Sequence, residues 1–440
     1  MRFRKSTGLT TSEKLLADLC EKSFLQLWTY PNLFKKPAKE LADLIVVWQD
    51  HVIIFSDKSC AYPDTGAPEL DWSRWHRRAI SNSAHQIVQT VRWLQTCPDK
   101  IFLDAKCAAP LPIKFPASPR FHRVCVTTGA AQRCLQATGS SSLAIDRTIS
   151  GDERAFAYNP LDGTDAVHIF DEAALALVLR ELNTATDFVQ YLEARTALFH
   201  TDHFKGSPSE ADLLAYFLWN NRSFPQKTEP YVLESGLWQR VEADPSFLAG
   251  REENQISAFW DGLIEYVTTH YLESTLELGN EVEMSDYERL ARMLASEHRF
   301  HRRLLSKAIL ERAERAREGR VGSLLPSSQA NVVYALLIGP GATREEYPAY
   351  RTARTQELHL RCVAAKAAHP NIAFVVGIAL DARGADGGSE DFILLDTTEW
   401  TREDQARAER VRTELGYYVA GRAAETRMVE DEYPADRSAS

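Results

Sequence analysis

The period of the apolar positions changes twice within the first sixty residues. In TSEKLLADLCEKSFLQLW (residues 11–28), Leu15, Leu16, Leu19 and Cys20 recur at helical spacing, and Thr11 or Ser12 can cap the start. YPNLFKKPAK breaks that pattern. ELADLIVVWQDHVIIFSDK (40–58) then carries two apolar runs, LIVV and VIIF, separated by polar WQDH, which predicts a pair of strands in a hairpin. A turn-rich YPDTGAPELDW follows. DWSRWHRRAISNSAHQIVQTVRWLQ then places Ile80, Ala84, Ile87, Val88 and Val91 on one helical face, before strand-like KIFLD and RFHRVCVTT. Helix, strands, helix, strands predicts an α/β domain over residues 1–140.

Beyond it the pattern is mostly helical to about residue 320. DEAALALVLREL and TATDFVQYLEAR read as a helical pair, with Thr184 or Thr186 capping the second. ISAFWDGLIEYVTTHYLE and the basic RMLASEHRFHRRLLSKAILERAERAREGR follow. GRVGSLLPSSQAN is the best linker by composition. Residues 330–425 alternate again: strand NVVYALLIG, helix YRTARTQELHLRCVAAKAA, strands IAFVVGIAL and DFILLD, helix TREDQARAERVRTELG. That is a small α/β or α+β module.

Composition narrows the class. The 440 residues are 44% hydrophobic and 25% charged, as expected of a soluble globular protein, and the length predicts two or three domains. MRFRKSTGLTTSEK lacks a signal-peptide apolar core, and no apolar run is long enough to span a bilayer. The seven cysteines are scattered without CxxC pairing, which predicts reduced thiols, a cytoplasmic location and no structural zinc. The net charge of −10 argues against coating nucleic acid with the whole surface, but not against a local basic groove. Arg299, Arg302 and Arg303, within about one helical turn, are the candidate nucleic-acid contact.

The chemistry is sought in the hairpin. Alternation along a strand puts Asp43, Ile45 and Val47 on one side of the first strand. On the second, Ser56 and Lys58 share a side and Asp57 faces the other. Metal-dependent phosphodiester cleavage needs carboxylates to hold Mg2+ or Mn2+, and a lysine can position the attacking water or offset charge on the phosphate.

An acidic helix, then ELAD, two strands and FSDK resembles the PD-(D/E)xK nuclease superfamily, in particular its nuclease-related and Mrr-like branches. The resemblance covers roughly the first 140 residues and implies a restriction-endonuclease-like fold. It also implies that Asp43 ligates the metal, that Lys58 is the family lysine, that Glu13 is the acid on the first helix, and that Gln86 is the helical glutamine. One position departs from the pattern. Where the family has Glu or Asp two residues before the lysine, this chain has Ser56. Three outcomes are open: a bulge turns Asp57 inward, Glu40 supplies the missing carboxylate, or the site has lost its metal. The resemblance implies a cytoplasmic Mg2+- or Mn2+-dependent endonuclease acting on DNA (or RNA) in defence against foreign DNA. The middle and C-terminal regions would then sense a trigger, bind a protein partner or form a homo-oligomer. The alternative is a nuclease-fold scaffold that binds nucleic acid or a protein without cutting.

Other patterns read as architecture. NPLDGTD (159–165) is similar to a metal-phosphatase signature, but its first acid is Asn159 and Asp152-Glu153 lie too close, so it predicts a turn. His298 and His301 are three apart, where a helical metal pair prefers four. His168 has Asp171 nearby but no nucleophile. The glycines of GADGGSEDF join strand to strand, which predicts a hairpin loop.

Overall fold

The computed structural model describes residues 2–163, 165–385, 388–419 and 428–434. The chain is an α/β protein that forms two compact units, residues 1–247 and 248–440.

In the first unit helix α1 (Thr11–Trp28) is capped by Thr10, one residue before the expected positions. The reason lies three residues on. Glu13 completes a capping box, its backbone N–H donating to Thr10 Oγ1 while its carboxylate accepts the Thr10 N–H. Leu16, Cys20, Phe24 and Leu27 form the buried stripe, whereas Leu15 is exposed. Trp28 at the end of α1 meets Trp48 edge to face at 4.6 Å, pinning the helix to the sheet.

Strands β1 (Thr29–Lys36), β2 (Lys39–Trp48), β3 (His51–Ser59), β4 (Arg120–Thr128) and β5 (His168–Asp171) form a mixed sheet in that spatial order. The first three are antiparallel; β3, β4 and β5 are parallel. The expected hairpin is β2–β3, closed by Trp48↔His51 with Gln49 in the left-handed region. β1 occupies YPNLFKK, which the pattern marks only as a helix breaker. Pro31 is tolerated there because β1 lies at the sheet edge, and its pairing with β2 is irregular at Leu33–Lys36. KIFLD makes only bridges from Phe102 to Phe34 and Pro110.

Helix α2 (Pro68–His76) runs through a π turn, Arg77–Ser81, into α3 (Asn82–Thr96). α3 is fastened to the strands from its inner face. Ser83 Oγ donates to the Ser56 carbonyl (3.4 Å) and Thr90 Oγ1 to the Leu41 carbonyl (2.7 Å).

The first unit continues past residue 140. β5 joins its sheet, and a second four-stranded sheet orders Tyr231–Val232, Phe204–Ser207, Ala144–Asp146 and Ala157–Tyr158. Helix Ala185–Phe199 is capped by Thr184, one of the two expected residues. Asn159 donates to the carbonyls of Arg147 and Ile149 and opens the turn expected at NPLDGTD, of which Thr164 lies outside the described residues.

In the second unit helices Ala258–Glu273, Met284–Ala295 and Arg299–Arg315 precede a four-stranded sheet. Its order is Val321–Pro326, Val332–Gly339, Phe374–Asp381, Asp391–Asp396, with the middle pair parallel. The expected linker GRVGSLLPSSQAN contains the first of these strands. It is half-buried at the edge, so its apolar residues are too few to stand out. Helix Tyr347–Ala368 crosses between the parallel strands and buries Leu358, Cys362 and Ala365 against Val333, Val375 and Ala379. Gly377 permits this approach, since a Cβ there would lie 2.6 Å from Cys362 Sγ. Residues 386 and 387 of the expected loop GADGGSEDF, and residues 435–440 of the polar tail, lie outside the described residues. No helix of the described residues is long and apolar enough to cross a membrane.

Candidate functional site

The β2–β3 ladder stops at Leu44↔Phe55, one residue short of Asp43. Beyond it, the backbone N–H of Asp57 donates to Asp43 Oδ2 at 2.7 Å, and Ser56 Oγ donates to the same oxygen at 3.3 Å. Lys58 Nζ lies 4.0 Å from it, with its side chain about one-third exposed. Asp43, Ser56 and Lys58 therefore meet on one face at the point where the strands part.

Asp57 does not turn to join them through a bulge. The register of β3 with β4 is unbroken from His51↔Arg120 to Ser59↔Thr128, so Asp57 keeps the side opposite Ser56 and Lys58. It is 9% exposed, and neither carboxylate oxygen makes a hydrogen bond of good geometry. Burial pushes its pKa up. The Ser12 hydroxyl opposes that shift, and the charges of Asp43 and Glu13 add to it.

Glu13 and Glu40 are drawn together by a residue that the strand pattern hides. Asn32 Nδ2 donates to Glu13 Oε2 (3.1 Å) and to Glu40 Oε1 (2.7 Å), and Ser6 Oγ donates to Asn32 Oδ1 (2.7 Å). Asn32 sits at φ +48°, a conformation that Asn adopts more readily than other side chains. Glu13 also accepts the N–H of Leu9 (2.8 Å). Glu40 is raised by burial, held back by Asn32 and pushed further by Asp43 and Glu13. Asp43 is raised by burial, against which Lys58 and the Asp57 N–H work. Four carboxylates thus share one neighbourhood with a single lysine, and three of them are harder to ionise than usual.

Gln86 lies on α3 between Ser83 and Thr90, half-buried beside the same strand ends. Ser12, Asn32, Ser83 and Thr90 are the participants that the sequence pattern does not mark. Only Asn32 leaves a trace there, as an amide between the apolar pairs Tyr30-Pro31 and Leu33-Phe34.

The donor set is all oxygen, which suits a hard cation such as Mg2+ or Mn2+. Among the described residues no group of three or more His, Cys, Asp or Glu side chains is placed to hold a metal ion. Mg2+ needs no such cage, since it typically takes one or two carboxylates and keeps several waters. Asp43, whose hydrogen bonds from Ser56 and Asp57 both fall on Oδ2, fits that mode as a single carboxylate, while Asp57 lies on the opposite face.

The arginines expected at a nucleic-acid interface do not form one. Arg299, Arg302 and Arg303 are at most 9% exposed. Arg299 and Arg302 pair with Asp261, Arg302 donates to the carbonyls of Ala295 and Glu297, and Arg303 donates to those of Asp431 and Glu432. Their charge is spent inside the helical layer, so none turns toward a phosphate. His298 caps helix Arg299–Arg315, its Nδ1 accepting the His301 N–H at 3.3 Å. At the starting ends of the parallel strands His51, His122 and His168 form a buried set. His168 meets Arg195, which pairs with Glu210 at 2.7 Å. Burial depresses these histidines, His122 to about 3, which suits a neutral structural network.

No family model matches the chain, and no characterised protein or solved structure matches it.

Proposed function

We propose that the first unit is a metal-dependent nuclease of the PD-(D/E)xK kind that cleaves DNA phosphodiester bonds. The observation that carries the reading is the meeting of Asp43 and Lys58 across β2 and β3, where the ladder ends beside a buried, unsatisfied Asp57. The element order supports it: helix, three antiparallel strands, helix, and a strand parallel to the third.

In this reading Asp43 would hold the cation on the face it shares with Ser56 and Lys58, Glu40 would lend negative charge from its clamp on Asn32, and Asp57 would act on the site only through its charge from the opposite face. The bound cation supplies polarisation of the phosphate and activation of a water. Lys58, one-third exposed and close to Asp43, orients the attacking water and offsets charge building on the phosphate oxygens. Gln86, half-buried on α3 between Ser83 and Thr90, would position the phosphate. Raised carboxylate pKa values in one cluster favour the same reading, because a cation would offset the cost of burying charge, and the lesser mutual repulsion, that raise them.

The test is a cleavage assay on plasmid, linear and single-stranded DNA and on RNA, with Mg2+ or Mn2+. It compares wild type with Asp43→Ala and Lys58→Ala, both checked for folding. Cutting that needs the metal and disappears in both variants supports the reading and fixes the substrate class. A second reading, a nuclease-fold scaffold that binds without cutting, is favoured by Ser56. That hydroxyl already satisfies Asp43 where a metal-binding acid would stand. No cutting under any condition, with binding intact in all three proteins, would establish it.

A further inference from the structure

The chain holds 61 acidic residues in 440, yet residues 72–98 contain none, while they carry Arg74, Arg77, Arg78 and Arg92. This stretch is the α2–π–α3 helix from Trp72 onward, past the Glu69 and Asp71 of its first turn. Its exposed positions include Arg77, Arg78, Asn82, His85, Gln89 and Arg92, so the stripe facing solvent is cationic or polar throughout. Among the described residues Arg77, Arg78 and Arg92 enter no ion pair. The π turn Arg77–Ser81 interrupts the helix where two of these arginines stand, and such turns recur at functional sites. The sheet extends the charge, because exposed Lys36 from the end of β1 lies over the Trp93 ring at 5.4 Å and has no acidic partner among the described residues.

We infer that this helix face docks the phosphodiester backbone of a nucleic acid duplex and delivers it to the strand ends beneath α3. The inference deepens the nuclease reading and rests on it for the cleavage step after docking. Charge complementarity chooses the occupant. An acid-free cationic stripe on a protein of net charge −10 is a local field that attracts a polyanion which the rest of the surface repels. Length agrees, since Arg77 to Arg92 spans about 22 Å of helix, roughly six base-pair steps measured along a duplex axis. Placement agrees too. The inner face of α3 is bonded to Ser56 and Leu41, which flank Asp43 in the hairpin, so the outer stripe lies about one helix diameter, ~10 Å, from the carboxylates.

The experiment measures binding of labelled duplex DNA and duplex RNA by fluorescence anisotropy at several salt concentrations. It uses the full chain in EDTA, so that no cleavage intervenes. Arg77→Ala/Arg78→Ala/Arg92→Ala should weaken binding at least about tenfold and lower the salt slope by ~0.9 per arginine. The corresponding triple Lys variant should retain binding. Arg402→Ala/Arg407→Ala/Arg410→Ala, which removes the same charge from an exposed helix of the second unit, should leave the slope unchanged. Unequal affinity for DNA and RNA names which duplex the face takes. An unchanged slope in the Arg77 triple variant overturns the inference even if the wild type cuts DNA. Equal displacement of the duplex by polyglutamate also overturns it, because the face would then serve acidic proteins. Loss of binding in that variant alone upholds the docking face even if no metal supports cleavage.

Discussion

Asp43 accepts the backbone N–H of Asp57 at 2.7 Å, so one acidic side chain closes the ladder that β2 and β3 leave open. The same carboxylate is the nearest anion to Lys58. Structure and chemistry therefore compete for one group, and substitutions can separate them.

Asp43→Ala removes the acceptor of a buried N–H and should cost about 1–3 kcal/mol in urea unfolding. Asp43→Asn keeps an oxygen in place and should cost less. Both should abolish metal-dependent cleavage. Cleavage surviving in Asp43→Asn would show that the carboxylate acts only as a strand clip.

Asp57 gives the pH dependence. Its folded pKa is raised, chiefly by burial, as are those of Asp43 and Glu40, so the folded state holds protons that the unfolded chain releases near pH 4. The contribution of these three groups to the stability of the metal-free protein should be greatest below that pH and fall as pH rises through their folded values. Asp57→Asn should flatten the decline and raise the melting temperature at pH 7. Mg2+ or Mn2+ should raise the melting temperature of wild type at pH 7 and do little for Asp43→Asn. A profile in EDTA from pH 4 to 7 whose slope is unmoved by Asp57→Asn would count against the buried charge.

Asn32 bridges Glu13 and Glu40 from a left-handed backbone. Asn32→Ala should lose the bridging donor and strain the backbone, together about 2–4 kcal/mol. Asn32→Asp places a further negative charge against Glu13 and Glu40, and its instability should shrink on adding salt while that of Asn32→Ala should not. Urea midpoints at low and high salt distinguish the two.

Arg302 is buried against Asp261 and two carbonyls. Arg302→Ala should destabilise the second unit by about 2–4 kcal/mol, in the range for breaking a buried hydrogen-bonded charge. Duplex affinity measured below the melting transition should not change. A lost salt slope in that variant would return the nucleic-acid contact to helix Arg299–Arg315.

The sequence by itself determined the elements whose residues agree with one period. LIVV and VIIF became β2 and β3 because both faces of a central hairpin are buried, and a continuous apolar run has no other stable place. Thr184 and the long helix over residues 347–368 were legible for similar local reasons. The alternation that placed Ser56 and Lys58 on one side of the second strand and Asp57 on the other also held, since the register of β3 never slips, but that Asp43 shares the Ser56 side was decided by the pairing of β2 with β3. What the sequence could not determine depends on partners distant in the chain. β1 is a strand only because β2 is there to pair with it, and β5 reaches the sheet from residue 168. Asn32 matters because its amide meets acids 19 residues before and 8 after it. The arginines show the difference most plainly. The run around Arg299 to Arg303 and the stripe of Arg77, Arg78 and Arg92 are both basic helices in sequence. Only tertiary structure decided that the first neutralises acids and carbonyls in its own unit while the second faces water, because burial and pairing are fixed by what packs against a helix.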